Sequence, residues 1–276
     1  MDAFAALILG LVEGVTEYLP VSSTGHLLVT QRLLGIPADE AANAFAICIQ
    51  AGAILAVLLL YGGRVRGALA GVAGRDPAGL RLAIALLVAF VPALVIGALF
   101  GGWFKSTFFG PWPIAIAWIA GGLLILALRG RVRPEGGAPL EALLPRQALI
   151  IGLCQCLAMI PGTSRSLVTL LAGLGVGLSL AAAVEFSFLL GLLTLTAATA
   201  HDAFGSGQLM LHEYGWPPLL IGFITACVTA LVAVKWMVSW LQTHGLGVFG
   251  WWRLLAGGAL VVALLRGWST GGHPLG

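Results

Sequence analysis

Apolar residues run along this chain in long blocks separated by short polar interruptions, and the block lengths set the first expectation. Stretches at about 44–61, 82–100, 112–128, 184–200, 216–241 and 251–266 each reach the roughly 17 to 25 residues that carry an α-helix across a bilayer, so they predict six transmembrane helices. Two further apolar regions, about 3–34 and 147–178, are broken near their centres by Pro20-Val-Ser-Ser-Thr-Gly25 and by Pro161-Gly-Thr-Ser-Arg-Ser166. Each half is too short to span alone. Irregular backbone at membrane depth is tolerated only where it is buried in protein or lines a watery cavity, so each broken region predicts a re-entrant hairpin, two half-helices around a functional turn. The expected fold class is an all-α polytopic membrane protein, a single membrane domain over 1–276 with six transmembrane helices and two re-entrant helical hairpins.

Composition supports this reading. Of the 276 residues 59% are hydrophobic and 9% charged, against the roughly 25% charged of an average soluble domain. The net charge of +3 does not point to a nucleic-acid partner; where the 14 Lys and Arg sit is more informative. Arg64, Arg66, Arg75 and Arg81 fill one connection and Arg129, Arg131, Arg133 and Arg146 another, and both are expected on the cytoplasmic side. Residues 1–43 and a loop at 201–215, which lacks Lys and Arg, then fall outside, with Arg266 at the outer end of its span. The first hairpin thus enters from outside and the second from inside.

The order becomes hairpin plus three spans, twice, in inverted orientation, an inverted-topology repeat with broken helices meeting near the midplane. Repeat one covers about 1–130 and repeat two about 145–268. Gly10-Leu-Val-Glu13 echoes Gly152-Leu-Cys-Gln155, and Ala120-Gly-Gly-Leu-Leu-Ile-Leu echoes Ala256-Gly-Gly-Ala-Leu-Val-Val. The chain opens Met1-Asp2 without the basic region of a secretory signal, so its N-terminus is expected to be retained.

Charges inside the apolar regions, chiefly Glu13, Glu17, Arg165 and Glu185, would each cost at least about 2.5 kcal/mol at a bilayer centre unless paired or hydrated, so they mark a site. Glu13 and Glu17 are four apart and share a helix face. Two such carboxylates split their pKa values or share a cation, and Mg²⁺ or Ca²⁺ with phosphate oxygens in its shell fits the hard-cation rule. The plainer alternative is that they pair with Arg165 to hold the hairpins together.

The turn after them carries Ser22, Ser23, Thr24, Gly25 and His26. Ser and Thr suit a helix cap, Gly lets a ligand approach the backbone, and free N–H groups with the positive helix end make an anion site. The second hairpin repeats this with Ser164, Arg165, Ser166 and Thr169. Two such N-termini facing each other would grip a phosphate from both sides, with Arg165 as a bidentate fork. The plainer reading is that the hydroxyls satisfy backbone freed by the broken helices. His26, three residues after Ser23, is a candidate general base or cationic phosphate partner. His201, His212, His244 and His273 have no companions at metal-ligand spacing, and Cys48, Cys154, Cys156 and Cys227 read as small hydrophobes. Glu185, heading Glu-Phe-Ser-Phe-Leu-Leu190, either serves the site or marks a membrane boundary.

The segments Glu13-Gly-Val-Thr-Glu17-Tyr-Leu-Pro-Val-Ser-Ser-Thr-Gly-His26, Pro161-Gly-Thr-Ser-Arg-Ser-Leu-Val-Thr169 and Glu185–Leu190, with Ile49-Gln50, resemble the signatures of the undecaprenyl-diphosphatase family of bacitracin-resistance membrane phosphatases. The resemblance covers essentially the whole chain. It implies removal of the terminal phosphate from undecaprenyl diphosphate to give the lipid monophosphate that carries cell-wall precursors. It also implies a divalent metal, a bacterial inner-membrane location with an active site open to the periplasm, and a homodimer. Matched to this chain, the functional residues are Glu13, Glu17, Ser23, His26 and Arg165, with Ser22, Ser164 and Thr169 in support. Leu167-Val168 stands where the family has small residues and Leu193 where it has proline, which bears on packing around the second hairpin. The alternative function is a carrier that moves the polyprenyl phosphate through the same inverted-repeat groove; an anion channel would need no carboxylate pair beside its anion site.

Overall fold

The computed structural model describes residues 1–37, 39–130 and 136–268, with only the backbone of Lys105; Arg131, Arg133 and His273 lie outside the described residues. Among these residues the chain forms eleven α-helices. They are α1 (Ala3–Thr16), α2 (Ser23–Leu33), α3 (Glu40–Leu60), α4 (Gly62–Val72), α5 (Pro77–Phe108), α6 (Pro111–Leu128), α7 (Pro145–Gln155), α8 (Arg165–Gly175), α9 (Leu180–Tyr214), α10 (Trp216–His244) and α11 (Gly247–Leu265). Short 3₁₀ turns occupy Leu140–Ala142 and Cys156–Met159.

Six of these helices, α3, α5, α6, α9, α10 and α11, are long and apolar enough to cross a membrane, and they coincide with the six predicted spans. Both broken regions are pairs of short helices, α1 with α2 and α7 with α8. Helix starts follow ordinary capping chemistry: Asp2, Asp39 and Ser179 accept from the backbone N–H groups of Ala5, Ala42 and Ala182. Gly215 (φ 75°) separates α9 from α10, and Gly245 (φ 66°) ends α10.

Two connections differ from expectation. Residues 201–214 are not a loop but the C-terminal part of α9. Their polar composition reads as a connection, yet they contain no proline, Met210 is buried beside Phe45, and the Ser206 hydroxyl donates to Glu40 at 2.6 Å. The arginine-rich segment after α3 is likewise helical, forming α4, which lies against the start of α5.

Packing brings the broken regions to the centre. The first half-helix, α1, lies along α10, so close at Gly14 that any side chain would strike Thr229 and the Ala226 carbonyl. In the second broken region α7 lies along α5, α8 packs on α9, α3 sits between α9 and α10, and α6 pairs with α11. A continuous core through Tyr18, Leu167, Phe186, Phe188 and Leu190 runs beneath both turns. At one end, Arg64 on α4 binds Glu141 at 2.8 Å and Glu185 at 2.5 Å, joining the two arginine-rich connections on a single face.

Candidate active site

Both turns that interrupt the apolar regions carry the same backbone irregularity. Ser22 and Ser164, each immediately before a helix N-terminus, have φ of 75°, and they are the non-glycine residues with positive φ among the described residues. A serine held there costs about 1–3 kcal/mol, so the surroundings must impose it. At Ser164 the hydroxyl accepts from Leu167 N–H at 3.3 Å and contacts the Ser166 hydroxyl at 3.0 Å, while Ser166 Oγ donates across to the Leu19 carbonyl of the first turn at 2.9 Å. Ser22 makes no side-chain cap, contrary to expectation; its carbonyl instead receives the His26 ring at 2.7 Å.

The bond from Ser166 to Leu19 sets the turns side by side, and the charged groups meet there. Glu17 is buried and accepts on Oε2 from Ser23 Oγ at 2.5 Å and from Gln50 Nε2 at 3.2 Å. On Oε1 it pairs with Arg165 Nη2 at 3.4 Å, joining the hairpins. A serine hydroxyl donating to a buried carboxylate is the arrangement of a nucleophile and its base. Gln50 Oε1 in turn accepts from Thr199 on α9 at 3.3 Å.

Arg165 is positioned by more than its partner carboxylate. Its Nη1 donates to the Ser187 carbonyl at 2.9 Å and its Cζ lies 5.4 Å from the Tyr18 ring centroid, while Nε makes no hydrogen bond among the described residues. The fork is thus divided between Glu17 and Ser187 rather than free for bidentate use. Gly191 leaves room for it, since a side chain there would run into the guanidinium. Thr169 Oγ1 donates to the Arg165 carbonyl at 2.8 Å and lies 2.6 Å from the Ser187 hydroxyl, so Thr169 fixes the helix start that presents Arg165.

Glu13 is fully buried, one helical turn before Glu17 and beside it and Gln50, and neither of its oxygens accepts a hydrogen bond from the described residues. Gln155, its counterpart in the sequence echo, is also buried without a side-chain hydrogen-bond partner among the described residues. A buried carboxylate in this state needs either a proton or a cation. Two carboxylates are hard donors that fit Mg²⁺ or Ca²⁺, provided water or phosphate oxygens complete the shell, since no group of three His, Cys, Asp or Glu able to hold a metal occurs among the described residues.

Gly25 packs under the buried indole of Trp118, whereas Thr24 is exposed. Glu185 makes no contact with Glu17, Ser23 or Arg165; two residues before Ser187 on α9, it pairs with Arg64 instead. Residues the sequence did not single out come from α9 and α11. Ser187 and Gly191 frame Arg165. Arg253, fully buried, donates to four backbone carbonyls: Pro20 at 3.3 Å, Gly162 at 2.8 Å, Ala117 at 2.7 Å and Trp118 at 3.3 Å. One guanidinium therefore ties both turns to α6. Trp252 donates its indole N–H to His26 Nε2 at 2.9 Å.

The assembled group is a buried serine–carboxylate pair, an arginine from the opposite hairpin and an unsatisfied second carboxylate, a set suited to displacement at phosphorus. The family described as "Bacitracin resistance protein BacA" matches residues 6–259. The chain is 43% identical over 264 residues to undecaprenyl-diphosphatase 2 of Rhodospirillum rubrum, covering 96% of this chain and 94% of the relative. It is 44% identical over 265 residues to the undecaprenyl-diphosphatase of Sorangium cellulosum (95% and 86%) and 42% identical over 268 residues to undecaprenyl-diphosphatase 1 of Chromobacterium violaceum (96% and 97%). With nearly its whole length matched in this way, the chain belongs to the BacA family of bacitracin-resistance proteins.

Proposed function

We propose that this chain hydrolyses undecaprenyl diphosphate to undecaprenyl phosphate and inorganic phosphate, with the reaction centred on Ser23, Glu17 and Arg165. The observation that carries the reading is the 2.5 Å contact of Ser23 Oγ with Glu17 Oε2 while Arg165 holds the other oxygen. Ser23 Oγ attacks the terminal phosphorus in line and passes its proton to Glu17. The bond from that phosphorus to the bridging oxygen breaks, and its electron pair leaves on the lipid monophosphate. Water then attacks the phosphoserine phosphorus, the bond from phosphorus to Ser23 Oγ breaks, Glu17 returns its proton to Oγ, and inorganic phosphate departs with the protons of the water. Glu17 rather than His26 serves as base for Ser23, because His26 has both ring nitrogens engaged elsewhere.

Arg165 and the N-terminal N–H groups of α2 and α8 offset charge on the phosphates. Ser22, Ser164, Ser166 and Thr169 hold the turns that present them. Glu13 and Glu17 would hold Mg²⁺ or Ca²⁺, which when bound neutralises diphosphate charge.

The architecture is read as two inverted repeats, about 1–130 and 145–268. In support, matching α1, α2, α3, α5 and α6 with α7 to α11 turns the contact of α1 with α10 into that of α7 with α5, and that of α3 with α10 into that of α9 with α5. The protein is a multi-pass membrane protein. Its proposed place is the bacterial inner membrane as a homodimer, the Arg64 face cytoplasmic and the site open to the periplasm.

The test is phosphate release from undecaprenyl diphosphate by purified protein in detergent, with EDTA, Mg²⁺ or Ca²⁺, beside Ser23→Ala. Metal-dependent release by wild type, near zero in Ser23→Ala, is expected, with ³²P trapped on Ser23 in acid-quenched reactions. No release by wild type with any metal would refute the proposal, since a carrier without chemistry releases none. Release with full activity in Ser23→Ala would replace the phosphoserine with direct attack by water.

A further inference from the structure

The chemistry above leaves one functional group idle. His26 has a fully specified state: the Ser22 carbonyl can only accept, so Nδ1 carries the proton, and the Trp252 indole N–H can only donate, so Nε2 offers its lone pair. In that state His26 has neither a free lone pair nor a free N–H for a phosphate or a water. Its ring is held between Trp118, 4.6 Å away by centroids, and Trp252, whose plane lies within 12° of its own.

The two tryptophans differ in their freedom. Trp118 is 2% exposed and packs over Gly25, so it cannot leave. Trp252 is 51% exposed, on an α11 surface it shares with Trp251 and Leu255, both more exposed still. In a membrane protein that surface meets acyl chains. Anything apolar reaching the site laterally from the bilayer at this point touches Trp252 before it touches His26.

Resting on the proposed polyprenyl diphosphatase activity, we propose that Trp252 is a latch on His26, opened when the polyprenyl chain of the substrate takes the place of the indole. The chain then frees Nε2 for the phosphates or the hydrolytic water, and a diphosphate without a chain leaves His26 capped. Trp252 is thus a positioning residue that makes the site respond to the lipid as well as to the diphosphate, and it explains how a site for a common anion discriminates against soluble ones.

Trp252→Phe keeps an aromatic, apolar side chain and removes the N–H. Phosphate release is measured from undecaprenyl diphosphate, farnesyl diphosphate and inorganic pyrophosphate. Relative to wild type, Trp252→Phe is expected to raise kcat on pyrophosphate and farnesyl diphosphate about fivefold, the factor one ordinary hydrogen bond is worth, with little change in KM for the long-chain substrate. The selectivity ratio narrows accordingly, and in a His26→Gln background the substitution leaves that ratio unchanged. A ratio within twofold of wild type, equal loss on all three substrates, or the same narrowing without His26 would overturn the latch.

A second readout needs no turnover. In ¹⁵N-histidine-labelled wild type, undecaprenyl phosphate should shift the His26 Nε2 resonance while inorganic phosphate does not. An unmoved resonance, or one moved equally by both, would also overturn it. Failure of wild type to release phosphate from any substrate would instead refute the activity, and the spectra would still decide the latch.

Discussion

Arg253 gives the sharpest test of how the two turns are held. The substitution Arg253→Met keeps much of the side-chain volume and removes every donor. Four carbonyls lose this donor: those of Ala117 and Trp118 keep the N–H groups of their own helix α6, whereas those of Pro20 and Gly162, in the turns, are left bare. At about 1–3 kcal/mol for each of the two buried acceptors left bare, the gross loss is roughly 2–6 kcal/mol. The guanidinium's own desolvation, several kcal/mol, is relieved at the same time, because Arg253 is fully buried. That relief offsets part of the loss, because no charge is left behind, and the net destabilisation expected is about 2 kcal/mol. The sign is set by the backbone, since carbonyls cannot be deleted along with the charge. Arg253→Lys keeps the charge but has three donors instead of five, so it should fall between. Unfolding free energy is read by SDS titration in mixed micelles, with phosphate release measured per folded protein. Because Pro20 and Gly162 lie in opposite turns, Arg253→Met should also lower kcat under conditions where it stays folded. An Arg253→Met protein within about 1 kcal/mol of wild type would show that the turns do not depend on this residue.

Other outcomes follow from single contacts. Gly191→Ala pushes a methyl group into the Arg165 guanidinium and should reduce kcat at least tenfold with an unchanged gel-filtration profile in detergent. Glu13→Gln should keep the fold and lose the response to added Mg²⁺ or Ca²⁺, measured as phosphate release across a metal titration. Arg64→Met breaks exposed ion pairs worth about 0–1 kcal/mol and touches none of Glu17, Ser23 or Arg165, so activity per folded protein should stay within twofold. The carboxyl of Glu141 is held below its ordinary range, first by a hydrogen bond to its own backbone and then by Arg64. Its small contribution to stability is therefore present above about pH 4.5 and lost as pH falls below it, and Glu141→Gln should flatten that part of a melting-temperature profile against pH.

The spans were legible because bilayer thickness imposes length on apolar runs, and each of the six predicted runs overlaps one membrane-length helix. Glu13, Glu17 and Arg165 were legible because charge in an apolar region is expensive, and the structure gathers them with Ser23 and Gln50. Arg253 obeys the same rule and escaped notice because it lies three residues into its predicted span, where a long cation usually reaches out to the interface rather than inward. Ser187 lies in the Glu185–Leu190 segment that resembles a family signature but had no role assigned, while Gly191 and Trp252 had no signal: a glycine and a tryptophan are ordinary in membrane helices, and only the fold sets these residues against Arg165 and His26. The loop expected at 201–215 failed for another reason, since polarity marks exposure to water and not the end of a helix.

The central claim is that one reaction centre is assembled from both hairpins, with Glu17 from the first and Arg165 from the second. Its most direct test is a double-mutant cycle on phosphate release from undecaprenyl diphosphate, comparing Glu17→Gln, Arg165→Gln and the double variant under single-turnover conditions. Residues acting as a unit lose their effect together, so the double variant should be no slower than the worse single variant within a factor of about three. Losses that multiply would mean that the two residues act independently, and the shared centre would be contradicted.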